Sequence, residues 1–268
     1  FLDFMDEPED SPRWNQKSLY TSYTIGEGYQ TVKIIILDVR AEADPPIHEH
    51  ADNLGLEQWI WLEEQLATDN ATFTLIASPI QVVPQDRIVI EKLYPESLSK
   101  LIALIEKYKV EGVVLLSGDV HHGQMYRTPC PMGEMQYPLH EVTSSGLTHH
   151  AGQEVPRATT LVDALYSEHA DWSPMILDYN YATVEFDWSN PQDPTVIFSI
   201  KGEGGKLFTR RSVSHSQLTR KPRSDDCQGD YPSPQQLFRA KLFDSITKPT
   251  KLYEIIRFLS YQICVLIV

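Results

Sequence analysis

Positive charge is scarce in this chain: 23 Lys and Arg stand against 37 Asp and Glu, leaving −14 at neutral pH over 268 residues. A field of that sign repels phosphate backbones, which excludes nucleic-acid binding through a basic surface. Cysteine is scarce too. Cys130, Cys227 and Cys264 have neither metal-ligand nor redox spacing, and any one pairing leaves a third over, which excludes a disulfide scaffold. With 13 glycines and 41% hydrophobic residues, collagen and low-complexity sequence are excluded as well. There is no Gly-x-Ser-x-Gly elbow, no Walker loop and no Gly-x-Gly-x-x-Gly after a strand, so serine-hydrolase, P-loop and dinucleotide readings lack their motifs. The chain opens at Phe1 without a basic-then-apolar leader, and location is not readable there. Its longest apolar stretch, Phe258 to Val268, is shorter than the ~20 residues a membrane span needs. That stretch reads either as part of a truncated membrane anchor or as a terminal helix packed on the domain. With the sequon Asn70-Ala71-Thr72, it points to a secreted or membrane-associated protein.

What is present is a regular alternation. Lys33-Ile34-Ile35-Ile36-Leu37, Thr72-Phe73-Thr74-Leu75-Ile76-Ala77 and Val113-Val114-Leu115-Leu116-Ser117 are apolar runs of strand length, expected to be buried on both faces. Between them, Leu56, Trp59, Leu62 and Leu66 recur at helical spacing from Asn53 or Gly55 onward, and Trp59, Leu62 and Leu66 are expected in the core. Leu98, Leu101, Ile102, Ile105 and Tyr108 do the same after Pro95, which sits where a missing N–H costs nothing. A β-α-β-α-β order predicts an α/β (α+β) fold with a parallel or mixed sheet, its chemistry in loops at the carboxyl ends of strands. Residues 118–124 occupy one such loop. Farther on, 181–188, 195–201 and 206–210 alternate as an antiparallel meander, predicting a two-sheet mixed sandwich flanked by helices. Residues 211–251 read as a linker or loosely packed tail, with 252–268 as the apolar terminal segment.

Chemistry concentrates at Ser117-Gly118-Asp119-Val120-His121-His122-Gly123. In an extended turn Asp119 and His121 leave the same side, and Gly118 and Gly123 allow the backbone to bend around a bound species. A carboxylate beside an imidazole suits a divalent or trivalent cation, Zn, Mn or Fe, with Ca at the carboxylate. The competing reading is a turn-capping Asp and a core His, and for His122, which points the other way, that is preferred. A second cluster runs from Glu141 through Ser144, Ser145 and Gly146 to His149 and His150. Hydroxyls beside a glycine make either a phosphate-accepting nest or an ordinary turn.

Five blocks in order resemble the motif series of PhoD-type alkaline phosphatases, members of the calcineurin-like metallophosphoesterases. They are Leu37-Asp38-Val39-Arg40, Leu54-Gly55-Leu56-Glu57-Gln58-Trp59-Ile60-Trp61-Leu62, Ala77-Ser78-Pro79-Ile80-Gln81-Val82, Ser117 to His121, and Glu141 to Gly146. The resemblance covers about residues 1–210. It implies a sandwich of two mixed sheets and a polynuclear metal site hydrolysing phosphate mono- or diesters, with Asp119 and His121 as metal ligands and the phosphate ester as substrate. His122, Ser144, Ser145 and His149 are the surrounding or substrate-binding candidates. The chain departs from the pattern at Gln124, where many members carry an acid, and at Leu93 in Glu91-Lys92-Leu93, where Trp is usual. No Gly-Asp or Asp-Asp-His motif precedes residue 33, so the chain reads as the carboxyl-terminal part of such a domain. On that reading the missing amino-terminal half is its partner and the isolated chain is silent. Two alternatives stand beside this one: a non-catalytic binding or interaction domain that keeps the fold with an incomplete site, and a membrane-tethered ectodomain whose enzyme part lies upstream.

Overall fold

The apolar runs become the centre of a six-stranded sheet. A computed structural model describes residues 1–45, 50–84, 92–128, 135–154 and 173–220. In chain order the elements are β1 (Thr21–Ile25), β2 (Val32–Ile36), α1 (Gly55–Ala67), β3 (Phe73–Ser78), α2 (Pro95–Tyr108), β4 (Val113–Ser117), β5 (Gly123–Arg127), β6 (His140–Ser144), the single turn α3 (Ala151–Glu154), β7 (Tyr181–Asp187), β8 (Thr195–Lys201) and β9 (Leu207–Ser214). The larger sheet has the order β1-β2-β3-β4-β6-β5. Its inner strands β2, β3, β4 and β6 run parallel, while β1 and β5 pair antiparallel at the two edges. Ile35, Ile76, Val114 and Leu115 are sealed from solvent, as strands covered on both faces require.

Helix α1 begins where Gly55 turns through φ +73°, a conformation that L side chains resist, and its N–H donates to Asp52 Oδ2 at 2.8 Å. Trp59, Leu62 and Leu66 are buried as their spacing predicts. Pro95 opens α2 and Lys109 closes it in the left-handed conformation. Lys33 and Thr74 reach Gln65 O and Asp69 Oδ2 at the end of α1, so that face of the sheet meets the helices. Phe73, the residue before Thr74 in β3, meets Phe186, Trp188 and His215 on the other side. These belong to the second layer, β7-β8-β9, whose β8 sends in Val196, Phe198 and Ile200.

Three features differ from the sequence reading. The second sheet is the antiparallel meander its residues predict and not the second mixed sheet that the resemblance implies, because hairpin connections join its strands. The loop after β4 closes at His122, since Gly123 already pairs with Ser144. The chain also does not loosen at residue 211: β9 runs to Ser214, and a 3₁₀ turn, His215–Leu218, buries Leu218. The remainder of the expected tail, the apolar terminal segment, Glu91 and all three cysteines lie outside the described residues. Among the described residues no helix is long and apolar enough to cross a membrane.

Candidate functional site

Parallel strands deliver their carboxyl ends to one rim, and four of the five sequence blocks meet there. After β2, Asp38 accepts backbone N–H groups from Leu19 (2.9 Å), Arg40 (3.0 Å) and Ala41 (3.1 Å). Burial alone would push its carboxyl up, but these donors outweigh it and hold it below the ordinary carboxylate value. Gln58 of α1 clamps the same residue, its Oε1 accepting from Asp38 N and its Nε2 donating to Asp38 O. The clamp positions Arg40, whose Nη2 lies 3.3 Å from Asp119 Oδ1. That pair is too solvated to contribute more than about 1 kcal/mol to stability, so its interest is its place.

The loop after β4 bends by a different device from the one expected. Neither Gly118 nor Gly123 has positive φ; Asp119 (φ 74°) and His121 (φ 54°) do. Such left-handed residues cost of order 1–3 kcal/mol each and persist where surrounding structure dictates them. Here Ala151 N donates to His121 O at 2.7 Å, Ser145 N donates to His122 O at 3.2 Å, and Gly123 exchanges backbone bonds with Ile176. The β6 loop therefore grips the β4 loop. The ring of His149 stacks on that of His121 with centroids 6.0 Å apart. The glycines have another use: a Cβ on Gly123 would meet Asn180 Oδ1 at 2.9 Å, and one on Gly146 would meet Asn180 Nδ2 at 2.0 Å. Asn180 is a buried plug, donating to Asp178 O and Gly146 O and accepting from the Ser144 hydroxyl.

His122 turns inward, as its position in the loop implies, with Nδ1 against Val120 O and Nε2 against Tyr126 Oη. Tyr126 donates to Gln124 Oε1, and Gln81 Nε2 donates to both Tyr126 Oη and Thr143 Oγ1. Ser117 bridges Thr143 and Glu141, and the wholly buried Glu141 carboxylate accepts the backbone N–H groups of Val82 and Val83. This polar layer locks the ends of β3, β4 and β6 together behind the loop.

The structure thus brings Asp119, His121 and His149 to one rim and adds Arg40, which the sequence shows only as part of a motif. The Ser144 hydroxyl donates to Asn180 Oδ1 and the Ser145 backbone N–H to His122 O, so these two groups tie the β6 loop to its surroundings. Asn180 carries no sequence signal. Among the described residues no group of three His, Cys, Asp or Glu side chains converges as a metal site. A catalytic metal keeps about three protein ligands besides its water, so the described donors alone do not fit one.

Comparison with known proteins gives a family. A family model described as PhoD-like phosphatase matches residues 5–187. Among solved structures, one described as the structure of PhoD is 18% identical with a TM-score of 0.49, the match covering 85% of this chain and 50% of that one. A hypothetical protein from Thermus thermophilus is 13% identical with a TM-score of 0.29, covering 72% and 60% respectively. The chain therefore spans half the length of the first of these structures. No curated protein matches it.

Proposed function

This chain belongs to the PhoD-like phosphatase family, and on that premise we propose that it serves the hydrolysis of phosphate mono- or diesters at the rim around residues 118–122. The observation that carries the reading is the convergence of Arg40, Asp119, His121 and His149 from the ends of three parallel strands. In this reading Arg40 orients a phosphoryl group, its planar fork suiting two phosphate oxygens. The carboxylate of Asp119 and the imidazole of His121 are two donors to a divalent or trivalent cation, the remaining donors coming from outside the described residues. Such a cation supplies charge neutralisation and an activated water. Asn180 and the buried Glu141 layer hold the two loops in register.

The test uses an aryl phosphate and a bis(aryl) phosphate with the full protein that carries this chain. Chelation is expected to abolish turnover and cation addition to restore it. Asp119→Ala and His121→Ala are each expected to lower bound metal and kcat/KM together, by about 10²-fold, typical for losing one electrostatic group at the reacting centre. Unchanged metal content and turnover in both variants would refute the assignment.

A further inference from the structure

Between the two sheets, at the carboxyl ends of the parallel strands, lies a cavity of about 310 Å³. Its walls follow from strand register. Leu116 of β4 pairs with Ala77 of β3 on one side and with Val142 of β6 on the other. By the two-residue alternation of a strand, Ala77 shares the face of Phe73, which meets the second sheet. Leu116, Val142 and Ser144 therefore look toward that sheet. From the opposite side come Ala182 and Val184 of β7, whose register partners Ile200 and Phe198 are sealed in the core, so they lie on the inner face. Leu147, in the loop after β6, also lines the cavity.

The cavity reaches the rim. Ser117 and Ser144, the last residues of β4 and β6, are in its lining, as is Asn180 just before β7. Asp119 follows Ser117 by two residues and His149 follows Leu147 by two, and two Cα steps span at most about 7.6 Å.

Two observations define what the cavity suits. Inner-face residues of a sandwich are normally sealed, as Phe198 and Ile200 are, yet Leu116, Ala182 and Val184 are only half-buried and Leu147 is 73% exposed. Apolar surface thus faces an opening instead of a partner layer. The polar side chains in the lining are meanwhile occupied within the protein. The Ser117 hydroxyl joins Glu141 and Thr143, Ser144 donates to Asn180 Oδ1, and Asn180 Nδ2 donates to Asp178 O. None of the described lining residues is charged. Such a lining selects carbon over charge, and the volume is about twice the ~150 Å³ of an apolar cavity that admits benzene.

We propose that this cavity is the subsite for the alcohol side of the ester, taking an apolar body, an aryl ring or an alkyl chain, while the phosphoryl group lies at the rim. The inference rests on the phosphoester reading above and names its substrate class. In the hydrolysis, the bond from phosphorus to the ester oxygen breaks and one forms from phosphorus to the oxygen of water. One water proton ends on the departing alcohol, and the cavity holds that alcohol's apolar body.

The test measures kcat/KM for primary alkyl phosphates from methyl to butyl, whose leaving alkoxides are chemically alike, with the full protein that carries this chain and added cation. A rise of about fourfold per methylene is expected, the ~0.8 kcal/mol of a buried CH₂ converted at ~1.4 kcal/mol per tenfold. Leu147→Ser, a change at an exposed side chain, and Ala182→Leu, which fills the cavity, are each expected to lower the butyl-to-methyl ratio tenfold or more. Methyl phosphate turnover is expected to stay that of the parent, which also reports that both variants fold. Turnover without chain-length dependence, or a dependence that survives both variants, would overturn the subsite and leave the rim reading standing. Absence of turnover for every ester would refute the rim reading and the subsite with it.

Discussion

At Gly146 a single methyl group decides whether the rim holds. Its Cβ would lie 2.0 Å from Asn180 Nδ2, and Asn180 is tied by its own hydrogen bonds to Asp178, Ser144 and Gly146. Gly146→Ala is therefore expected to cost about 1–3 kcal/mol, the range for overpacking a filled site, measured by urea unfolding. Glu141 is the second sensitive residue. Glu141→Ala strands the N–H groups of Val82 and Val83, and at about 1–3 kcal/mol for each buried donor the expected loss exceeds that of Ser117→Ala, which removes one hydroxyl shared by Glu141 and Thr143 and strands no backbone group. Equal unfolding midpoints for the two variants would show that the carboxylate is not the anchor of this layer.

Helix α1 owes its setting to Asp52. Trp59 Nε1 donates to both carboxylate oxygens (2.7 and 2.9 Å), Ser97 of α2 donates at 2.8 Å, and Gly55 N completes the shell. Burial works against the ionised form, but the Trp59 and Ser97 side chains with the Gly55 and Leu54 N–H groups prevail and lower the pKa from its ordinary 3.8. A depressed folded-state pKa means that the unfolded chain takes up the proton first. The stabilisation is complete above the ordinary value and is lost as pH falls through 3.8 toward the folded value. Asp52→Asn is expected to be less stable than the parent at pH 7, with the gap narrowing below about pH 4, as thermal unfolding across pH would reveal. Trp59→Ala removes the indole donor and leaves a cavity, with an expected cost of about 3–5 kcal/mol by denaturant unfolding. Normal stability with a raised KM would instead make Trp59 a substrate contact.

An aromatic cluster helps join the two sheets. Phe73 of β3 sits 5.3 Å from Phe186, 5.7 Å from Trp188 and 5.5 Å from His215, centroid to centroid. Burial holds the His215 imidazole below its ordinary pKa, outweighing the pull of Glu111 and Asp193, so the ring enters the cluster neutral. Phe73→Ala is expected to cost about 3–5 kcal/mol and to shift Trp188 emission to the red as water enters between the layers. An unmoved emission maximum would mean that the layers hold together elsewhere.

By itself the sequence determined the alternation from β2 to β4, because apolar runs and a 3.6-residue stripe are local signals that any compact fold must bury. It also marked Asp119 and His121, whose loop follows a strand. Tertiary structure decided the rest. Strands β5 and β6 were hidden because Gln124, Glu141 and Thr143 look like loop residues until Tyr126 and Ser173 satisfy the first, Val82, Val83 and Ser117 the second, and Gln81 and Ser117 the third. Arg40 meets Asp119 across 79 residues only because β2, β3 and β4 run parallel in register. The left-handed turns at Asp119 and His121, and the Asn180 plug that gives Gly123 and Gly146 their purpose, exist because two loops from neighbouring strands must share one rim. Spacing along a chain specifies which side chains share an element. It does not specify which elements will supply the hydrogen bonds that make a polar strand or a strained turn affordable.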